Sequence, residues 1–226
     1  SLPLPMINMI SGGLHAGGHV DIQDVLILPA GADSYSQALD WAAAVYHRLG
    51  RELAAAGREG RLVGDEGGYG PRLGGNGEAV EAVTKAIEAA GFRPGEDISI
   101  GLDVASTHFF EEGRYRLAAE GDRRLDADEM VELLADWVDR YPVVSIEDGL
   151  AEDDWEGWRS LTRRLADRVQ LIGDDLFVTS PERIARGIQT GVGNSVLIKV
   201  NQISTLWETL QAVRLAVDHG YRPVVS

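Results

Sequence analysis

Val143-Val144-Ser145-Ile146-Glu147 is a short apolar run that ends in a carboxylate, and it is one of four similar runs in the chain. The other three end in Asp103, Asp174 and Lys199, and helical patterns separate them. Short apolar runs between helical patterns are typical of parallel strands buried on both faces. In a parallel barrel every strand delivers its C-terminal end to one rim. The four charged residues are therefore expected on one rim, where three carboxylates and a lysine indicate a divalent metal and a base.

The chain opens with a different order of elements. Two strand candidates, residues 6–10 and 24–29, come before two helix candidates. The first helix is expected to begin after Ser34, which forms a capping box with Gln37 and is followed by apolar residues at helical spacing: Leu39, Ala42, Ala43 and Tyr46. The second covers residues 78–90. The predicted order is thus strand, strand, helix, helix, followed by βα repeats, with a short β-excursion near residues 111–121.

The final apolar run, residues 222–225, starts a seventh strand of this predicted sheet. An eight-stranded barrel needs one more strand and its helix. A barrel that stops there leaves a strand edge unpaired. We therefore interpret residues 1–226 as a single segment of a longer chain, with no linker dividing it.

Composition excludes several classes of function. The chain has 226 residues, 44% of them hydrophobic, which suits one large α/β domain. Its net charge of −15 makes nucleic acid an improbable partner, because few phosphates could be neutralised. No apolar stretch approaches the roughly 20 residues of a membrane span, and the start lacks the features of a signal peptide. The absence of cysteine fits a cytoplasmic protein.

Six motifs in this order and spacing give the chain a family resemblance. They are Gly12-Gly13-Leu14-His15-Ala16, Gly64-Asp65-Glu66-Gly67-Gly68, Leu102-Asp103-Val104-Ala105-Ser106, Ser145-Ile146-Glu147-Asp148-Gly149-Leu150, Gly173-Asp174-Asp175-Leu176-Phe177-Val178-Thr179, and Leu197-Ile198-Lys199-Val200-Asn201-Gln202-Ile203. With these motifs the chain resembles the enolases, which interconvert 2-phosphoglycerate and phosphoenolpyruvate in glycolysis. The resemblance implies an enolase-type TIM-like barrel of the α/β class, incomplete at its C-terminal end. It also implies a lyase that works as a homodimer.

The resemblance assigns roles to the charged strand ends. Asp103, Glu147 and Asp174 would be ligands of magnesium, of which two ions are expected in the complete site. Magnesium prefers an octahedral shell of oxygen ligands, so three carboxylates leave positions for substrate oxygens and water. Lys199 would be the base that takes the C2 proton, helped by the positive charge of the metal. Enolase-superfamily sites with a lysine base and magnesium are a general example of such chemistry.

Two glycine-rich loops would supply the rest of the site. By resemblance, Glu66 would be the acid that protonates the departing C3 hydroxide. His15 would lie on a mobile loop that closes over the substrate. Enolases carry a glutamate where this chain has Asp24, which is one methylene shorter, and a displacement of about 1 Å can cost on the order of a hundredfold in rate. Ser11 also stands in place of the usual asparagine.

Structural explanations compete with these assignments. A single carboxylate after a strand is often a helix N-cap, and a single lysine there is often a strand end that reaches solvent. Asp148 and Asp175 are adjacent alternatives, of which only one in each pair should face the metal. Four other histidines are interpreted as surface or loop residues: His19, His47, His108 and His219. The five tryptophans are interpreted as packing residues: Trp41, Trp137, Trp155, Trp158 and Trp207.

Three functions remain open from the sequence. The protein that contains the segment is an enolase, another enolase-superfamily enzyme that removes a proton next to a carboxylate, or an enolase-like protein with a binding role. The loops of His15 and Glu66 favour the first function, because they resemble enolase itself. The family's phosphate-binding His-Arg-Ser would follow Ser226, and its N-terminal α+β domain and a later lysine are also absent from the sequence. The segment alone is therefore expected to be inactive.

Overall fold

The computed structural model describes residues 2–226, which form a mixed α/β fold of two compact units. The first unit comprises residues 2–104 with 116–124 and 136–144. The second comprises Ala105–Tyr115, Leu125–Ala135 and Ser145–Ser226. No helix within residues 2–226 is long and apolar enough to cross a membrane.

The first unit begins with the predicted order of two strands and two helices. Its elements are β1 (Ile7–Ser11), β2 (Asp24–Leu28), α1 (Tyr35–Ala55), α2 (Asn76–Ala89) and β3 (Ser99–Asp103). β2 is antiparallel to both neighbours, so Asp24 is paired with Ser11 on one side and with Asp103 on the other. This register places three of the polar strand ends next to one another.

The helices of the first unit bury small and branched side chains. Ser34 caps α1 by accepting a hydrogen bond from the backbone of Gln37, as predicted. The apolar face of α1 differs from the predicted one: Leu39 is 44% exposed, and the buried residues are Ala38, Ala42, Val45, Leu49, Gly50 and Leu53. The helix is rotated by about one position from the expected face, because Ala38, Val45 and Leu49 also satisfy helical spacing.

A small three-stranded sheet and a helix follow. The strands are β4 (Phe110–Glu111), β5 (Arg114–Leu117) and β6 (Arg123–Leu125), and the helix is α3 (Ala127–Arg140). The sheet confirms the β-excursion expected near residues 111–121. Asp126 and Glu129 form a reciprocal capping box at the start of α3, with both hydrogen bonds 2.9 Å long.

The remaining elements alternate as predicted. They are β7 (Val143–Glu147), α4 (Trp155–Leu165), β8 (Gln170–Gly173), α5 (Pro181–Thr190), β9 (Ser195–Ile198), α6 (Val200–Ile203), α7 (Leu206–Asp218) and β10 (Arg222–Val225). In the second unit β7, β8, β9 and β10 are neighbours in that order, and all their pairings are parallel. In the first unit the order is β1, β2, β3, followed by the start of β7, where the Ile100 N–H donates to the Pro142 carbonyl.

The strands that carry the predicted site end where the sequence indicates. β3 ends at Asp103 and β7 at Glu147, whereas β8 stops one residue before Asp174 and β9 one residue before Lys199. The second unit has an apolar core in which Leu171, Val196 and Trp158 are fully buried. Trp207 corrects the packing prediction, because it is 63% exposed on α7, whose buried face consists of Thr209, Ala212 and Ala216.

Candidate active site

Asp24 is the most buried carboxylate of the first unit, with 1% of its surface exposed. Its Oδ1 accepts hydrogen bonds from Asn8 Nδ2 and from Ser11 Oγ, the latter 2.8 Å long. Its Oδ2 lies 2.8 Å from His15 Nδ1. Burial raises the pKa of Asp24 above its ordinary value, and the hydrogen bonds from Asn8 and Ser11 oppose that rise.

Glu66 lies on a loop that is fastened to the histidine loop and to α1. The Asp65 N–H donates to the His15 carbonyl over 3.2 Å, and the Gly64 N–H donates to the Gly68 carbonyl over 2.7 Å. Tyr46, on α1, donates its hydroxyl to the Gly67 carbonyl over 2.7 Å. These bonds hold the loop in a position that brings the exposed Glu66 close to the buried Asp24.

The first unit thus brings together three of the residues that the sequence predicts. One side-chain atom from each of His15, Asp24 and Glu66 lies within 4.8 Å of the others. Asn8 completes this group and was not predicted, because its partners are three and 16 residues away along the chain. Asp103, at the end of β3, accepts a 2.9 Å hydrogen bond from Gln23 Nε2.

In the second unit, Asp174 and Lys199 are in direct contact. Lys199 Nζ lies 2.6 Å from Asp174 Oδ2, and Gln202 Nε2 donates to Asp174 Oδ1 over 2.7 Å. Gln202 lies three residues after Lys199, on α6, so one turn of helix brings both side chains to the same carboxylate. The lysine and the aspartate therefore form one charged pair.

Thr179 supports this pair through hydrogen bonds to Gln202 and to the backbone of Lys199. Thr179 was not identified as a site residue from the sequence. Its buried hydroxyl donates to Gln202 Oε1 over 2.7 Å and accepts a hydrogen bond from the Lys199 N–H over 2.9 Å. The signal available in the sequence was its position at the end of the motif that begins at Gly173. Its backbone is left-handed, with φ of 54°, which is a rare conformation for threonine.

Asp148 is a structural carboxylate beside the predicted ligands. It is 3% exposed, and its two oxygens accept the N–H groups of Asp174 and Asp175 at 3.1 and 2.7 Å. Burial raises the pKa of Asp148 to about 8 and also raises the pKa of Asp175. Since both oxygens of Asp148 are directed at backbone donors, Asp148 positions the backbone of Asp174 and Asp175.

The second unit can accommodate a divalent cation. Glu147 and Asp174 follow neighbouring parallel strands, each is 9% exposed, and carboxylate oxygens are the donors that magnesium prefers. The Lys199 ammonium lies 2.6 Å from Asp174 Oδ2, so a metal ion would share this carboxylate with a cation already beside it. Asp148, Asp174 and Asp175 also form an acidic group whose oxygens lie within 4.8 Å of one another. The donor set fits a divalent metal, without fixing which one.

An α/β domain with carboxylates and a lysine at the ends of successive strands belongs to the class of barrel-type enzyme domains that bind their substrates at the strand ends. The family described as "Enolase, C-terminal TIM barrel domain" matches residues 1–226. The chain therefore belongs to this family, which is of the lyase type, and its fold is that of an enolase C-terminal domain.

Proposed function

We propose that the protein containing this domain is an enolase, which dehydrates 2-phosphoglycerate to phosphoenolpyruvate with magnesium. The observation that carries this proposal is the grouping of His15, Asp24 and Glu66 within 4.8 Å. His15 and Glu66 come from the two glycine-rich loops that resemble enolase itself, rather than the wider superfamily, and Asp24 lies at the start of β2. Loss of hydroxide needs an acid, and the grouping contains Glu66.

Lys199 is proposed as the base that takes the C2 proton. The chain has 21 basic residues, of which two are lysines, Lys85 and Lys199. Arginine stays protonated under ordinary conditions, whereas lysine can lose its proton when its surroundings favour the neutral amine. A lysine at the strand end of a chain so rich in arginine supports a role that requires proton transfer.

Asp103, Glu147 and Asp174 are proposed to hold magnesium, with two ions in the complete site. Bound magnesium would supply positive charge next to the substrate carboxylate, which makes the C2 proton easier to remove. The residues of the chain then have separate tasks. Asp174 orients Lys199 and Gln202 holds Asp174, while Thr179 fixes Gln202 and Asp148 fixes the backbone of Asp174.

Glu66 is proposed as the acid that gives a proton to the leaving C3 hydroxide, with His15 and Asp24 in the same group. The resemblance also suggests a cytoplasmic homodimer, and both features belong to this proposal. Another reaction of the superfamily, or a binding role without catalysis, would be the result if 2-phosphoglycerate is not turned over.

The test is the rise in enol absorbance when 2-phosphoglycerate and Mg²⁺ are added to the full-length protein. We expect a rise that depends on Mg²⁺ and falls at least a thousandfold in Lys199→Ala, because the substitution removes the base. Lys85→Ala is the matched control, since Lys85 is exposed on α2 and pairs with Glu81. An unchanged rate in Lys199→Ala would exclude Lys199 as the base, and no rise in the wild type would exclude the enolase reaction.

A further inference from the structure

Two departures from the enolase pattern lie in one hydrogen-bonded network. Ser11 stands in place of an asparagine and Asp24 in place of a glutamate, and the Ser11 hydroxyl donates to Asp24 over 2.8 Å. Asn8 donates to the same carboxylate oxygen. The shorter side chain of Asp24 is thus drawn into the protein, where 1% of it is exposed. A carboxylate held in this way is poorly placed to contact a substrate directly.

The remaining oxygen of Asp24 faces His15 Nδ1 at 2.8 Å. An ionised carboxylate only accepts hydrogen bonds, and in a neutral imidazole one nitrogen donates while the other accepts. The proton between the two groups is placed on the ring nitrogen, because an ionised Asp24 has no proton to donate. The hydrogen bond at one ring nitrogen sets the state of the other. Nε2 of His15 is then the nitrogen that carries the lone pair.

We propose that Asp24 is a positioning residue that holds His15 in its Nδ1–H tautomer, so that His15 rather than Asp24 meets the reacting groups beside Glu66. The structural part of this proposal concerns the tautomer alone, whereas the part on the reaction rests on the proposed function. A lone pair on Nε2 can accept a hydrogen bond from a protonated Glu66 or from the C3 hydroxyl of the substrate. An N–H at that position could only donate. Asp24 therefore selects an acceptor for the acid side of the site.

An isosteric substitution at Asp24 tests whether Asp24 sets the tautomer of His15. In Asp24→Asn, the side-chain carbonyl is expected to take the place of Oδ1, because Asn8 and Ser11 donate there. The amide NH₂ then faces His15 Nδ1, which must accept. The ring proton is expected to move to Nε2. Asp65→Asn is the matched control, since Asp65 is exposed and its contact with His15 is a backbone hydrogen bond, from the Asp65 N–H to the His15 carbonyl, which the substitution keeps.

The experiment is ¹⁵N NMR of the full-length protein with labelled histidine at about pH 8, above the ordinary histidine pKa near 6.5. The His15 signals are assigned by their loss in His15→Gln. We expect a protonated Nδ1 and a lone-pair Nε2 in the wild type and in Asp65→Asn, and the reverse in Asp24→Asn. Far-ultraviolet circular dichroism of each variant reports whether it is folded. A proton on His15 Nε2 in the wild type overturns the proposal without any variant.

The role in the reaction is tested on the full-length protein. Asp24→Asn is expected to lower kcat at least tenfold while KM changes less than threefold, because the substrate contacts are kept and the acid side is altered. Asp24→Glu, which restores the family residue, is expected to lower kcat as well, since the longer chain no longer fits the Asn8 and Ser11 donors. An active Asp24→Glu with unchanged kcat contradicts the positioning role. An inactive wild type with the Nδ1–H tautomer contradicts the proposed function and leaves the tautomer assignment in place.

Discussion

A single methyl group would disturb the loop of Glu66 at two of its glycines. A Cβ atom on Gly68 would lie 2.7 Å from Asn8 Oδ1 and 2.9 Å from the Ser11 backbone N, and one on Gly64 would lie 2.5 Å from Ser11 Cβ. Gly67 differs, because a Cβ there would meet nothing within 4 Å, although its φ of 83° is unfavourable for other residues. The loop thus approaches β1 closely at Gly64 and Gly68, and this approach brings Glu66 to Asp24.

Gly68→Ala is expected to destabilise the protein by about 2 to 3 kcal/mol, because a methyl group must displace buried backbone. Gly67→Ala should cost about 1 to 2 kcal/mol from its left-handed backbone alone. The measurement is the free energy of unfolding in urea for both variants. Gly77→Ala, in the first turn of α2, is a control that should be neutral or stabilising. A loss below about 0.5 kcal/mol for Gly68→Ala would refute the close approach.

The helices show which parts of the structure the sequence predicts well. The predicted cap Ser34 accepts a hydrogen bond from a backbone N–H three residues later, and the helix starts at Asp126, Ser180 and Thr205 show the same bond. Capping is local, because the side chain and its donor lie within one turn. The polar residues at the strand ends are predictable for the same reason, because each directly follows an apolar run.

Contacts between distant segments were not predictable in this way. Asp148 reaches the backbone of Asp174 across 26 residues, and Thr179 reaches Gln202 across 23. In the sequence Asp148 and Thr179 look like ordinary loop residues, because their partners are close to them only in the folded structure. The packing prediction for Trp207 was wrong for a related reason. A helical pattern gives the spacing of an apolar face, while the packing of neighbouring elements decides which face is buried.

Tyr221 connects the turn before β10 to the loop after α5, and its stabilising effect should depend on pH. Its hydroxyl donates to the Val192 carbonyl over 2.8 Å, and burial raises the pKa of Tyr221 to about 12. A pKa that is higher in the folded state means that the stabilisation is complete below about pH 10 and is lost as the pH rises through 12. The loss is smaller than the full shift suggests, because the side chain is half-buried and partly screened by solvent.

Tyr221→Phe should therefore lower the free energy of unfolding by about 1 kcal/mol at pH 7, through the lost hydrogen bond. The difference from the wild type should shrink between about pH 10 and 12. Urea unfolding over this range measures it, with Tyr35→Phe as a control at an exposed tyrosine. A difference that stays constant with pH would show that Tyr221 ionises equally in both states.

The charge of the chain as a whole sets how it responds to ions. With a net charge of −15, the folded protein repels itself, and added salt should stabilise it by screening. Screening depends on ionic strength, whereas binding at Glu147 and Asp174 depends on the particular ion. The two effects can be separated by comparing MgCl₂ with NaCl at equal ionic strength.

We expect MgCl₂ to raise the melting temperature more than NaCl does, since an ion that binds only the folded state stabilises it, by about 2.7 kcal/mol at a hundredfold excess over Kd. Asp174→Asn should abolish the excess, whereas Asp153→Asn, which removes an equal charge from a side chain 85% exposed, should keep it. Lys199→Met should enlarge the excess, because the Lys199 ammonium lies 2.6 Å from the same carboxylate and repels a second cation. If the two salts raise the melting temperature equally, in the wild type and in Lys199→Met, these carboxylates do not bind magnesium specifically and contribute only to the general negative charge.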